Sequence, residues 1–280
     1  MSADSEQAPS SGMPSIFKTP LLEAYGRKIF PFPGLKDLIA HVEATRNFPI
    51  RDDDVLVAAY TKSGTHWPWE VTPMLLRQTT DYEKRTKEQV MLESPGGLER
   101  AEQEPSPRIL NSHNPFVHLP QEIISKMTKI IHVVRNPKDT AVSYFWHIKI
   151  VFDDTNFTIQ NLLEAVMGEA QLPTQFDYLQ QMSEFERTHP GHPIKHVYYE
   201  DMKKTPVKII KELAQFLNVP ASDEFCLNVA NACSFDKMKK IEKTGAKDFP
   251  TEFEDVLKEI GGKLNFYRKE SSEIGKICSQ

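Results

Sequence analysis

Three times along this chain of 280 residues, an apolar run rich in β-branched residues stops at a polar turn from which a helical pattern departs. The first run is Val55-Leu56-Val57-Ala58-Ala59-Tyr60, followed by Thr61-Lys62-Ser63-Gly64-Thr65 and apolar helical spacing as far as Leu76. The second is Ile130-Ile131-His132-Val133-Val134, followed by Arg135-Asn136-Pro137-Lys138-Asp139. There Asn136 suits an N-cap, Pro137 the first helical position and Asp139 the third. The third covers residues 194–199 and leads through Glu200-Asp201-Met202 to a helix opened by Thr205-Pro206. Its apolar positions are Val207, Ile210, Leu213 and Leu217, and Asn218 suits its end. A shorter run, Arg108-Ile109-Leu110, ends in Asn111-Ser112-His113. Strands alternating with helices predict an α/β fold: a single domain whose central, mostly parallel sheet is flanked by helices. Polar residues collect just past the strand ends, where open sheets of this kind bind ligands.

Charge narrows the function classes. With 39 acidic residues against 34 basic, the net charge is −5, the wrong sign for a general nucleic-acid binder. Phosphate chemistry here must rely on local positive charge. The three cysteines, Cys226, Cys233 and Cys278, show no Cys-x-x-Cys spacing, which argues against a disulfide framework or a structural zinc site. The N-terminus lacks the basic start and apolar run of a signal peptide, and no window approaches the ~20 apolar residues of a membrane span. A cytoplasmic protein without membrane contact is expected. Residues 1–14, rich in Ser, Ala, Pro and Gly, read as a disordered tail; 15–270 read as one domain, and 271–280 as a short divergent tail.

Lys62-Ser63-Gly64-Thr65 sits between a buried strand and a helix N-terminus, where backbone N–H groups and the helix dipole favour an anion. Gly64 would let the backbone approach closely, Lys62 would supply charge, and Ser63 and Thr65 hydroxyl donors. The bland alternative is a surface turn with Thr65 capping the helix. No Walker A pattern is present, because Lys62 precedes Ser63-Gly64-Thr65 and no glycine lies in the ten residues before it. Arg135, ending a strand, suits forked binding of a phosphate or an ion pair with Asp139. His113, beside Pro115, could act as a general base with an ordinary pKa near ~6.5, or be a satisfied structural histidine. His113 and His118 lack a third partner at metal-ligand spacing. Trp67, Trp69, Tyr144, Phe145, Trp146, Tyr198, Tyr199 and Phe235 flank these segments, and most should be core. No G-x-S-x-G, G-x-G-x-x-G or H-E-x-x-H occurs, so serine hydrolase, dinucleotide oxidoreductase and zinc protease readings lose their usual support.

Together these segments resemble the cytosolic sulfotransferase family. Tyr60-Thr61-Lys62-Ser63-Gly64-Thr65-His66-Trp67 resembles its 5′-phosphosulfate loop, and residues 134–144 resemble its 3′-phosphate segment. Shorter matches are Pro105-Ser106-Pro107-Arg108 leading to His113, Tyr199-Glu200-Asp201-Met202, and Ser234-Phe235-Asp236-Lys237-Met238. The resemblance implies a donor, 3′-phosphoadenosine-5′-phosphosulfate, a small acceptor with a hydroxyl or amine, and no metal. It implies that Lys62, Ser63, Gly64, Thr65 and His66 hold the phosphosulfate, and that Arg135 and Ser143 hold the 3′-phosphate. Trp67 and Phe235 would sandwich adenine, with Tyr199, Cys233 and Met238 beside it, and Arg268 and Lys269 would close over the 3′-phosphate. His113 would take the acceptor's proton while Lys62 meets charge on the leaving oxygen. Phe30, Phe32, Asn111, Phe116 and His147 are the candidates for the acceptor pocket.

The chain also departs from the family pattern. Thr61 replaces a proline, His66 a threonine, and Cys233 a common threonine. Asn111 stands where many members carry lysine, and Glu270 follows Arg268-Lys269 where the family has glycine. A weakened donor site is expected, and a monomer or non-standard dimer, because the usual dimerisation segment is missing. The alternative function is a catalytically weak, sulfotransferase-like nucleotide-binding protein. A nucleotide kinase would need a Walker-type glycine pattern and magnesium-binding carboxylates, neither of which is evident.

Overall fold

The computed structural model describes residues 21–30, 32, 34–151, 156–167, 172–244, 247–252 and 254–255. A small antiparallel hairpin, β1 (Glu23–Ala24) and β2 (Arg27–Lys28), precedes helix α1 (Leu38–Arg46). Then come β3 (Val55–Ala59), α2 (His66–Arg77), a 3-10 turn at Lys87–Val90, α3 (Gly97–Gln103) and β4 (Ile109–Ser112). A second 3-10 turn at Phe116–His118 leads through the one-turn α4 (Glu122–Ser125) to β5 (Lys129–Val134) and α5 (Pro137–Val151). Next are α6 (Ile159–Met167), α7 (Gln175–Thr188), β6 (Ile194–Tyr198) and α8 (Tyr199–Lys204). The described helices end with α9 (Pro206–Leu217), α10 (Asp223–Ala232) and α11 (Phe235–Lys243).

The sheet has the order β4-β3-β5-β6, and every pairing is parallel, as the strand–helix rhythm predicts. All five residues of β3 are buried, which explains why its sequence is continuously apolar rather than alternating. Register places Ala58 beside both Ser112 and His132, and Val134 beside Tyr198. The four strands therefore finish level. The turns that follow them, carrying Lys62, His113, Arg135 and Tyr199, emerge on one edge of the sheet.

Helix α9 packs on β6 and α2, and α10 packs on α9. Its stripe of Ile209, Ile210, Leu213, Ala214 and Leu217 is buried, while Val207 is half-buried. Asn218 closes the helix at φ +62°, a left-handed conformation that Asn tolerates. Helix α7 meets the Phe116–His118 turn. A satellite cluster joins Tyr144, Phe145 and Ile148 of α5 to Phe157 and Leu162. At the other end of the strands Arg108 is fully buried, with Nε and Nη2 donating to the two Asp54 carboxylate oxygens at 2.8 and 2.5 Å. The predicted tails at 1–14 and 271–280 lie outside the described residues.

Candidate functional site

The chain leaves β3 at Ala59 and turns through two left-handed residues, Lys62 at φ +62° and Gly64 at φ +101°. Ser63 N–H donates to the Tyr60 carbonyl, and α2 starts two residues beyond Gly64. A Cβ on Gly64 would lie 2.5 Å from Cδ2 of Tyr199, so the loop and that ring are packed to a tolerance only glycine meets. Thr65 occupies the N-cap position in helical conformation, and its side chain makes no capping hydrogen bond, which removes the bland reading of this turn. Ser63 Oγ is buried and has no hydrogen-bond partner. An orphaned hydroxyl beside a glycine turn at a helix N-terminus is a cradle into which a phosphate oxygen fits.

Arg135 leaves β5 into the same space. Its Nη1 donates to the Lys62 carbonyl at 3.2 Å, and its guanidinium carbon lies 4.2 Å from the centre of the Tyr199 ring. The turn is clamped from three directions. Gln175 Nε2 donates to the Arg135 carbonyl at 2.7 Å, Asn136 N–H donates to Glu200 Oε1 at 2.9 Å, and Asn136 Oδ1 caps α5 by accepting from Lys138 N–H at 2.9 Å. Lys62, Gly64, Arg135 and Tyr199, read from separate stretches of sequence, thus converge.

His113 follows β4. Glu93 holds this corner, accepting from His113 N–H at 2.6 Å and from Ser112 Oγ at 2.8 Å. His113 Nδ1 lies 2.9 Å from the carbonyl of Ala59. A carbonyl only accepts, so Nδ1 carries the hydrogen and Nε2 presents its lone pair. Toward Nε2 comes Lys87 Nζ, at 3.4 Å. Lys87 is nearly fully buried and also 3.1 Å from Glu88 Oε1, which in turn lies 3.6 Å from His66 Nε2. Burial first, and then the Lys87 charge, push the His113 pKa down to about 3, not the ordinary value that its sequence suggests. Burial lowers His66 to about 4 against the pull of Glu88, and burial with the Lys87 charge lowers Lys62 to about 8. The imidazole is neutral and the lysine close to titrating.

The remaining predicted residues divide. Ser143 and His147 lie one turn apart on α5, hence on one face. Burial and the charges of Lys62 and Lys87 hold His147 well below its ordinary pKa, which puts it near the cations. Trp67 is half-buried in the first turn of α2. Phe235 opens α11, exposed, with Lys239 Nζ 5.8 Å from its ring centre. Met238, one turn on, is buried and helps to line a small cleft with His66, Lys87, Glu88 and Glu242. Phe30 is exposed and Phe32 half-buried on the segment between β2 and α1. Arg268 and Lys269 lie outside the described residues.

Two expectations need correction. Cys233 is in the core with its thiol 3.6 Å from Met74 Sδ, so its side chain packs the junction of α2 and α10. Phe116 turns inward after Pro115 and packs 5.0 Å from Phe185 and 5.9 Å from Tyr178, ring centre to ring centre, and so belongs to the core. Asn111 is completely buried, and both polar atoms of its side chain lack partners. Sequence reasoning missed Lys87, Glu88, Glu93 and Gln175. No motif marks them; the one available signal was an isolated Lys-Glu pair leading into the apolar stretch Val90-Met91-Leu92.

By class this is an α/β protein that gathers a glycine turn, an arginine and a neutral histidine at one end of a parallel sheet. A model of the sulfotransferase domain matches residues 52–273, and the chain belongs to the sulfotransferase family. Mouse sulfotransferase 1A1 is 32% identical over 236 residues, covering 80% of this chain and 79% of its own. The bovine sulfotransferase 1A1 is 32% identical over 218 residues, covering 73% and 72%. Among solved structures, mouse sulfotransferase SULT7A1 complexed with PAP superposes with a TM-score of 0.62 at 27% identity, over 78% of this chain and 76% of its own. Retinol dehydratase in complex with androsterone and inactive cofactor PAP shares the fold, with a TM-score of 0.64 at 20% identity over 85% and 79%. Among the described residues, no helix is long and apolar enough to cross a membrane.

Proposed function

We propose that this chain transfers a sulfonate group from 3′-phosphoadenosine-5′-phosphosulfate to a hydroxyl, or an amine, of a small apolar acceptor, with His113 as general base. The observation that carries the reading is the hydrogen bond from His113 Nδ1 to the Ala59 carbonyl. It leaves an unprotonated Nε2 beside the strand that runs into the anion-binding turn. The complex of the related mouse sulfotransferase with PAP supports the choice of donor.

When bound, the donor supplies the sulfonate: the acceptor oxygen forms a new O–S bond as the S–O bond to the 5′-phosphate breaks, and the nucleotide leaves as 3′-phosphoadenosine-5′-phosphate. His113 Nε2 takes the hydroxyl proton, and a base so placed contributes about 10²–10⁴-fold. Lys62 and the α2 N-terminus neutralise charge on the departing phosphate oxygen. Ser63, Gly64, Thr65 and His66 surround the 5′ end, and Arg135 with Ser143 receives the 3′-phosphate. Trp67 and Phe235 hold adenine, with Tyr199 and Met238 at its edge. Phe30, Phe32 and His147 would face the acceptor, whose apolar body suits aromatic walls.

Calorimetric titration of 3′-phosphoadenosine-5′-phosphate, beside adenosine 5′-monophosphate, tests the donor site. The expected result is a strong preference for the 3′-phosphorylated ligand, abolished in Arg135→Ala. Equal or absent binding would sink the proposal.

A further inference from the structure

We propose that Lys87 is a second catalytic cation: it rests on the lone pair of His113 Nε2 and shifts onto the transferring sulfonate when donor and acceptor bind. The inference rests on the donor and base assigned above. Lys87 Nζ is 3.4 Å from Nε2 and 3.1 Å from Glu88 Oε1, inside a nearly closed environment. A lysine buried this deeply for packing alone would need only its carboxylate partner. This one also caps the atom that must receive the acceptor's proton.

The geometry imposes an exchange. Nε2 cannot accept a proton while its lone pair accepts a hydrogen bond from an ammonium, and an imidazolium beside an ammonium would be repelled. Lys87 must therefore leave as the acceptor hydroxyl arrives. The nearest demand for positive charge is then the sulfonate, which on the donor assignment above would be held between His113 and the Lys62 turn. Asn111 gives this role room. It lies on β4, two residues before His113, is neutral, and its fully buried side chain makes no hydrogen bond. Lys87 thus brings from the 3-10 turn a charge that β4 does not provide. Bonds and protons balance as before: Lys87 gives up no proton, and only its hydrogen-bond acceptor changes.

The other groups bearing on the His113 ring are Glu88 from the same turn, His66 from α2 and His147 from α5. The test compares wild type and Lys87→Met by NMR titration of His113 and by calorimetry with two ligands, one bearing the sulfonate and one without it. In Lys87→Met the His113 midpoint should rise by at least about one pH unit, because a cation has left and Glu88 remains. Affinity for 3′-phosphoadenosine-5′-phosphate should stay within about threefold of wild type, while that for the phosphosulfate drops about tenfold. An unmoved midpoint, or equal loss of both ligands, overturns the proposal. Lys87→Arg keeps the ion pair with Glu88 and decides the matter if Lys87→Met does not fold. Its affinity ratio between the two ligands should fall below wild type, and an unchanged ratio overturns the proposal. Failure of wild type to bind 3′-phosphoadenosine-5′-phosphate would instead refute the underlying donor assignment, so the two failures are distinct.

Discussion

At the residue scale, His113 and Lys62 are both shifted downward, which keeps the imidazole unprotonated and makes the Lys62 charge sensitive to pH. Removing the imidazole in His113→Ala should lower kcat by about 10²–10⁴ while leaving nucleotide affinity nearly unchanged, since the ring's partners are Ala59 and Lys87. The pH profile follows from the two shifts. His113, held at about 3, stays unprotonated across mildly acidic conditions, so kcat/KM should show no acid limb near the ordinary histidine value. Lys62, held at about 8 by burial and by Lys87, loses its proton as pH rises through that value. If donor binding uses the charged form, as proposed, affinity should fall above it, approaching about tenfold per pH unit. Calorimetry of 3′-phosphoadenosine-5′-phosphate across that range checks the sign: an affinity that rises with pH would contradict it.

At the scale of elements, the start of α5 shows how local rules set a distant site. Asn136 accepts from Lys138 N–H at 2.9 Å, so the cap predicted from Asn-Pro-x-Asp forms as expected. Asn136→Ala should cost about 1 kcal/mol of stability, read as a lowered midpoint in urea. The same variant should weaken nucleotide binding, because this cap positions the turn that carries Arg135. Such units were legible because strand runs, caps and turn glycines are encoded within a few residues. Lys87, by contrast, is separated from His113 by 26 positions and sits on a short 3-10 turn without periodicity. Gln175 reaches the Arg135 carbonyl from 40 positions away. Phe116 and Cys233 mislead for a related reason: proximity in sequence to a site residue fixes where a backbone is, and packing decides which way its side chain turns.

For the whole molecule, the proposed site and a buried ion pair occupy opposite ends of the sheet. The turns that carry Lys62, His113 and Arg135 follow the C-terminal ends of the strands, while Arg108 and Asp54 pair at the N-terminal end, shut away from water. Asp54→Asn leaves a buried guanidinium uncompensated and should cost about 3–5 kcal/mol, measured by urea unfolding. At temperatures where the variant stays folded, its nucleotide affinity should match wild type. The division also bears on how such a site can drift over evolutionary time. The group that dictates which nitrogen of His113 bears hydrogen is the Ala59 carbonyl, and every amino acid possesses a carbonyl. No point substitution at position 59 deletes it. The orientation of the proposed base is therefore inherited from the strand and protected from mutation, whereas the positive charge brought to it by a side chain is free to be lost, moved or regained elsewhere.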